Sequence, residues 1–283
     1  MVKAKKQTSA LNIVLIIIGA VLAGIAIFYK PTVNTFVDEA GDQIVQAVSE
    51  QVLPENDDKL VIVSDKVFSS NVLKDDYFGV SKTTYKLARV VETYQWEKQC
   101  DEGGNNCKFL ENWLEGVTDT GDNEHKNPVT TQFSSEEYAQ TNLPLGKYVL
   151  SDKLIHDIPY DTVMGPDEIS SVYTGSYAVV GEYITNSENL DNPKIGDWRI
   201  HYEYAKDKMV TVVAKQQGNS FGPYYTSNKK EIYSLEEGEK TANEYLSDLE
   251  EQKSPFNLIV AIIGVFFIFL GVSSIVFAKL KKK

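Results

Sequence analysis

The sequence predicts an α+β protein, a membrane-anchored, strand-rich ectodomain set between two transmembrane helices with helical stalks. Three observations carry that expectation. Two long uncharged apolar stretches lie near the ends, the residues between them adopt the two-residue alternation of strands, and helical three-and-four spacing flanks the strand region on both sides.

In chain order the expected divisions are a basic tail over 1–10, a transmembrane helix over 11–29, a juxtamembrane helix over 30–53, the strand-rich domain over 54–233, an acidic helix over 234–255, a second transmembrane helix over 256–278 and a lysine tail over 279–283. The second span is the clearer one. Leu258 to Ala278 holds no charge and no proline, and at ~1.5 Å per helical residue it matches a hydrocarbon layer ~30 Å thick. The first, Leu11 to Tyr29, is equally uncharged and follows Lys3, Lys5 and Lys6. A cleaved signal peptide would share a basic start and an apolar run, although its apolar core is usually only ~7–15 residues. Lysines on the terminal side of both spans place both tails in the cytoplasm by the positive-inside bias, which leaves the large domain extracytoplasmic or lumenal.

After the first span, Val33, Phe36, Val37, Ile44, Val45, Val48 and Val52 recur at close to helical spacing, so an amphipathic helix is expected over Val33–Val52, broken or bent near Gly41. Pro54 to Asp58 ends it. Strands are expected at Leu60–Val63, Tyr85–Trp96, Lys147–Leu150, Tyr177–Ile184, Trp198–Tyr204 and Met209–Gln217, the last two as a hairpin around Ala205–Lys208. Helical turns are expected at Ser134–Gln140 and Ser151–Ile158. A final helix is expected to start at Ser234, with Glu237 completing a capping box, and to end near Pro255.

Charge narrows the partners. The chain carries −12 overall; seven of its 28 basic residues sit in the terminal lysine clusters, so 21 face 40 acidic ones between the spans, a net charge near −19 there. Such a field repels nucleic acid and anionic headgroups. Nucleic-acid binding is thereby disfavoured, and the bilayer and other membrane proteins are the expected partners. Gly19 with Ala23, and Ala20 with Gly24, are small-residue pairs that would let the first span pack on the second or on another copy.

Cys100 and Cys107 bracket the turn-forming Asp101-Glu102-Gly103-Gly104-Asn105-Asn106. On the oxidising side of a membrane they would staple a hairpin, worth ~2.5 kcal/mol by chain entropy for so short a loop; two free thiols are the alternative, and a zinc site lacks nearby histidine. Nucleophile elbows, phosphate loops and His-Glu-x-x-His are absent. His156 beside Asp157 reads as a surface pair, since neighbours on an element point apart, and His201 falls on one strand face with Arg199 and Glu203. Asp57-Asp58 and Asp75-Asp76 lack the spaced oxygens of a calcium loop and read as turn chemistry. No cofactor and no catalytic residue is expected.

One set of strings is more specific. Pro54-Glu55-Asn56-Asp57-Asp58-Lys59-Leu60-Val61, Phe78-Gly79-Val80, and Leu87 to Trp96, which contains Arg89, Glu92, Tyr94, Gln95 and Trp96, are followed by His125-Lys126-Asn127-Pro128 and Leu145 to Ser151. Ile195-Gly196-Asp197-Trp198-Arg199-Ile200 and Val212 to Gly218 close the series. In that order they resemble the transmembrane protein 43 family, also called LUMA, over roughly residues 52 to 220. The resemblance implies a membrane protein with a large non-cytoplasmic domain. Eukaryotic relatives associate with the endoplasmic reticulum and inner nuclear membrane, self-associate and take part in envelope organisation with lamins and emerin. After Gly218 this chain departs from their pattern of several further spans.

Physically, the tryptophans supply large bodies to bury, Arg89 is placed to pair with Glu92, and His125-Lys126-Asn127-Pro128 has the make-up of a rigid turn. The functional expectation is a non-enzymatic membrane protein whose ectodomain mediates assembly or membrane organisation. The alternative is a binding module for a small ligand or peptide, which a pocket lined by Trp96, His125 and Arg199 would favour. A membrane-tethered hydrolase is a third reading, and it requires Ser, His and Asp side chains in hydrogen-bond reach.

Overall fold

A computed structural model describes residues 2–29, 32–173, 175–251, 253 and 255–280. The lysines at 281–283 lie outside the described residues, as do the side chains of Lys3, Lys5, Lys6 and Lys279. The chain divides into a helical unit (1–46, 223–232 and 240–283) and a strand unit (47–222 and 233–239).

In the helical unit, Val2–Phe28 and Phe256–Leu280 are the two long helices. Phe256–Ile275 is, among the described residues, the one helix long and apolar enough to cross a membrane, and Ile13–Phe28 is a shorter apolar run. The two helices run antiparallel in contact. Gly19 lies against Gly264, and the Tyr29 and Phe256 rings meet edge-on at 5.3 Å, so rising numbers in one helix match falling numbers in the other. A Cβ added at Gly19 would fall 2.6 Å from the Gly264 carbonyl oxygen. Absence of side chains at that crossing is what lets the backbones approach.

The amphipathic helix that follows is shorter than its periodicity suggests. It covers Thr32–Gln43, ending two residues past Gly41, and buries Phe36, Val37 and Ala40; a Cβ added at Gly41 would lie 3.7 Å from Leu246. It stops where Ile44-Val45, a β-branched pair with weak helix preference, follows Asp42-Gln43. The late acidic helix is Ala242–Glu251, capped at Thr241: the Glu244 amide donates to the Thr241 hydroxyl at 3.3 Å and the Thr241 amide donates to the Glu244 carboxylate at 2.8 Å. The capping box is therefore Thr241 with Glu244, not Ser234 with Glu237.

The strand unit holds two principal sheets. In the first, Leu60–Val67 pairs antiparallel along Lys208–Gln217, from Leu60 opposite Lys215 to Val67 opposite Lys208. Ser234–Glu237 pairs with Lys208–Gln217 too, with Leu235 opposite Val212, because the strand offers a long buried ladder that a helix start at Ser234 would leave unpaired. In the second sheet the 14-residue strand Lys86–Gln99 is central; Trp198–Tyr204 runs along one side of it, Lys108–Glu115 and Glu136–Ala139 along the other. Glu136–Ala139 replaces the helix expected at Ser134–Gln140. Its pairing from Lys86 opposite Ala139 to Arg89 opposite Glu136 overrides the local Ser-Ser-Glu-Glu cap signal.

Trp198–Tyr204 and Met209–Gln217 are both strands, but they belong to different sheets and do not form a hairpin. The link between them is a crossing: Ala205 is buried, its amide donates to the Lys86 carbonyl at 3.0 Å, and its carbonyl accepts the Thr84 hydroxyl at 2.7 Å. Asp152–Asp157 is helical as read, with Ser151 as its cap. Beneath the second sheet Leu87, Val91, Trp198, Ile200 and Tyr202 pack with Phe78, Met164 and Ile169, the last from the short Pro166–Val172 helix.

Gly264→Leu is expected to separate the helix pair. Disulfide crosslinking between cysteines placed at Tyr29 and Phe256 reads this, with crosslinking abolished in the Gly264→Leu background and retained in an Ile262→Leu control.

Candidate functional site

Leu87 to Trp96, His125–Pro128 and Ile195–Ile200 meet along the strand Lys86–Gln99, whereas the strings at Pro54–Val61, Leu145–Ser151 and Val212–Gly218 belong to the other sheet. The pleat of the long strand divides the work of the first group. Arg89, Val91, Thr93 and Gln95 face one way; Glu92, Tyr94 and Trp96 face the other. Arg89 and Glu92 therefore do not pair, since three steps along a strand reverses the side.

On the inner side, Arg89 anchors a buried polar centre. Its guanidinium donates to Asp75 at 2.6 Å, to Glu136 at 2.8 Å and to the Ser134 carbonyl at 3.0 Å, while the Tyr202 hydroxyl donates to Asp75 at 2.7 Å. Asp75 is 1% exposed. Burial pushes its carboxyl up, but the Tyr202 hydroxyl and the Arg89 guanidinium outweigh burial and hold it below its ordinary 3.8. Its other oxygen accepts the Tyr77 amide at 2.9 Å and so also fixes the turn that follows. Sequence reasoning treated Asp75-Asp76 as a turn and missed this role. The one available signal was its place three residues before the Phe78-Gly79-Val80 string.

Gln95 and Asn127 lock the neighbouring loop. Gln95, fully buried, donates to the Gly116 carbonyl at 2.7 Å and accepts the Thr118 amide at 2.9 Å. Asn127 accepts the Trp96 amide at 2.7 Å and donates to the Trp96 carbonyl at 2.8 Å. Its side-chain amide thus stands in for a neighbouring strand where Trp198–Tyr204 no longer reaches. Pro128 follows at once and lies near Gly196. Gly196 has φ +97°, a conformation that suits glycine, and its amide donates to the Tyr94 carbonyl at 2.9 Å. Asp197 accepts Ser187 at 2.8 Å and the Lys194 amide at 2.9 Å, and buried Trp198 donates to Gln132 at 3.0 Å. Lys126 is exposed and lines an open cleft of about 590 Å³ together with Asp119, Asp122 and Asn127.

The outer side is an aromatic and charged face. Arg199 donates to Glu92 at 2.6 Å and lies between two rings, 4.7 Å from Trp113 and 4.4 Å from Tyr183. Tyr94 meets Trp113 at 5.3 Å and donates to Glu111 at 3.2 Å. Further along, His125 stacks on Phe109 at 4.1 Å and meets Trp96 edge-on at 4.6 Å. Trp96 and His125 are thus brought together, whereas Arg199 sits apart in its own cage. Cys100 and Cys107 are disulfide-bonded just past the last cross-strand pair, Gln99 opposite Lys108.

Each histidine meets a carboxylate: His125 with Asp122 at 2.6 Å, His156 with Glu137 at 2.8 Å, and His201 with Glu203 at 3.4 Å. Among the described residues no three His, Cys, Asp or Glu side chains gather as a metal-ligand set.

The sequence profile of the Transmembrane protein 43 family matches residues 93–280, past Gly218 and through the Phe256–Leu280 helix. Transmembrane protein 43 of Mus musculus is 28% identical over 227 residues, 72% of this chain and 56% of that protein. The protein of the same name from Homo sapiens is 26% identical over 217 residues, 68% of this chain and 54% of that one. The chain spans about half the length of the curated relatives it matches. No solved structure matches it.

Two substitutions test this construction. Asn127→Ala is expected to cost about 1–3 kcal/mol, the penalty for leaving buried polar groups unpaired, and to lose protection of the Trp96 amide in hydrogen exchange while distant strands keep theirs. Asp75→Asn is expected to cost about 3 kcal/mol at neutral pH by leaving Arg89 short of its partner. Because the folded Asp75 carboxyl titrates below its unfolded value, its contribution is complete above about pH 4 and lost as pH falls through the lower folded value. The stability gap between wild type and Asp75→Asn, measured by denaturant titration, should therefore narrow below pH 4.

Proposed function

The chain belongs to the transmembrane protein 43 family, and from that premise we propose that it is a non-enzymatic, two-pass membrane protein whose strand-rich domain mediates assembly or membrane organisation. The observation that carries the reading is the antiparallel contact between Val2–Phe28 and Phe256–Leu280, two helices that meet at Gly19 and Gly264. An antiparallel pair in one bilayer leaves both lysine-rich tails on the cytoplasmic side and sends residues 30–255 to the other. The partners are the bilayer itself, further copies of the chain and other membrane proteins. The family strings supply anchors and locks: Arg89 holds Asp75, Gln95 and Asn127 hold backbone, and the histidines hold carboxylates. A second reading, a binding module for a peptide, is favoured by the outer face around Trp96 and Trp113.

Cysteine labelling with a membrane-impermeant maleimide tests the topology. Val129, 96% exposed, and Lys282 are each replaced by cysteine in sealed membranes. Labelling from opposite faces is expected, and labelling of both from one face would overturn the two-pass arrangement. Crosslinking in the same membranes is expected to trap oligomers or complexes, and monomers alone would remove the assembly role.

A further inference from the structure

The hairpin of Tyr94–Gln99 and Lys108–Trp113 extends past the body of its sheet. Trp198–Tyr204 pairs with the long strand only as far as Thr93. Beyond that point the hairpin is held by its own ladder, by the Gly196 and Asp197 backbone at Tyr94, by the Gln95 and Asn127 side chains and by the Cys100–Cys107 bond. This arm carries two features together. Its outer side presents the rings of Tyr94, Trp96, Phe109 and Trp113, all half-buried. The stretch 92–129 also holds nine acidic residues against three lysines.

The same face shows what such a combination recognises. At its inner end a guanidinium, that of Arg199, is held between Trp113 and Tyr183 with Glu92 as its carboxylate. One step outward rings and a carboxylate recur: Tyr94 and Trp96 provide rings, Trp96 with His125 edge-on to it, and exposed Glu111, directly opposite Trp96 and accepting the Tyr94 hydroxyl at 3.2 Å, provides the carboxylate, with exposed Lys98 the next residue on that side. Glu115, also exposed, lies on the same side. Aromatic faces attract cations through the ring quadrupole, arginine above all, and an adjoining carboxylate adds a charge-assisted hydrogen bond.

We propose that the outer face of this arm docks an arginine-bearing basic segment of a partner protein, a guanidinium seating against Trp96 and Tyr94 with Glu111 and Glu115 as counter-charges. The assignment rests on the reading of this domain as an assembly module and gives that module a partner chemistry. It also sets a salt dependence, since exposed charges are largely screened beyond ~10 Å at 0.1 M salt.

The test uses the full chain in detergent micelles and a fluorescein-labelled probe peptide, Gly-Arg-Gly-Arg-Gly-Arg-Gly, followed by anisotropy. Saturable binding is expected, weakened at least fivefold by the double substitution Glu111→Gln, Glu115→Gln and unchanged by Glu55→Gln, Glu188→Gln elsewhere on the surface. A benzophenone-bearing version of the peptide is expected to crosslink within residues 92–115, a readout independent of any variant. Absence of saturable binding, equal weakening by both double substitutions, or crosslinks confined to other segments would each overturn the proposal. Oligomers or complexes trapped in membranes together with no peptide binding would remove this surface and leave the assembly reading standing.

Discussion

The pleat of one strand is the constraint from which the rest of this domain follows. Lys86–Gln99 must bury one side and show the other, so its alternate residues answer to different demands. Inward, Leu87 and Val91 join the core, and Arg89 enters it only because Asp75, Glu136 and the Ser134 carbonyl are waiting. Outward, Glu92, Tyr94 and Trp96 stay half-buried and build a surface with Arg199 and Trp113. A slip of one residue would expose Leu87 and Val91 and bury Glu92. That cost fixes the register, and the register in turn places Arg89, Glu92, Tyr94, Gln95 and Trp96 against their partners. The buried ion pair adds specificity to that register: a charge at Arg89 tolerates no inward position that lacks its carboxylates.

Locks at the edges extend this frame. Where Trp198–Tyr204 runs out, backbone groups of the long strand would face nothing, and the side chain of Asn127 takes their hydrogen bonds instead. Gln95 does the same for the chain that leaves the hairpin at Gly116. A string such as His-Lys-Asn-Pro can thus be needed at specific positions without any chemistry of turnover. His125 stacks, Asn127 bonds, Pro128 packs beside Gly196, and Lys126 alone is left to solvent.

Much of this was legible in the sequence where a local pattern and the tertiary demand agreed. Trp198–Tyr204 alternates cleanly because one side is core, and Ser151 caps a helix at the predicted place. Where several local signals were available, tertiary pairing chose among them. Ser134-Ser135-Glu136-Glu137 has the make-up of a helix start yet lies as a strand, since Lys86–Arg89 needed a partner. Two capping boxes could be written within eleven residues, and only Thr241 with Glu244 forms, because Ser234–Glu237 is taken by Lys208–Gln217. Ala205–Lys208 reads as a hairpin turn, and nothing in four residues reveals that the strands on either side enter separate sheets. Asp75 was invisible for a related reason: its partners, Arg89 and Tyr202, lie 14 and 127 positions away.

The Cys100–Cys107 bond sits at the exposed tip of the arm, where it crosses only a short turn and supports little of the fold. Its two states therefore differ in chemistry far more than in architecture. A copy that has crossed into an oxidising space keeps the pair closed, and a copy retained among cellular reductants shows two alkylatable thiols on an otherwise intact domain. The redox state of the tip therefore follows the compartment the domain occupies, and a thiol-alkylation gel shift reads it.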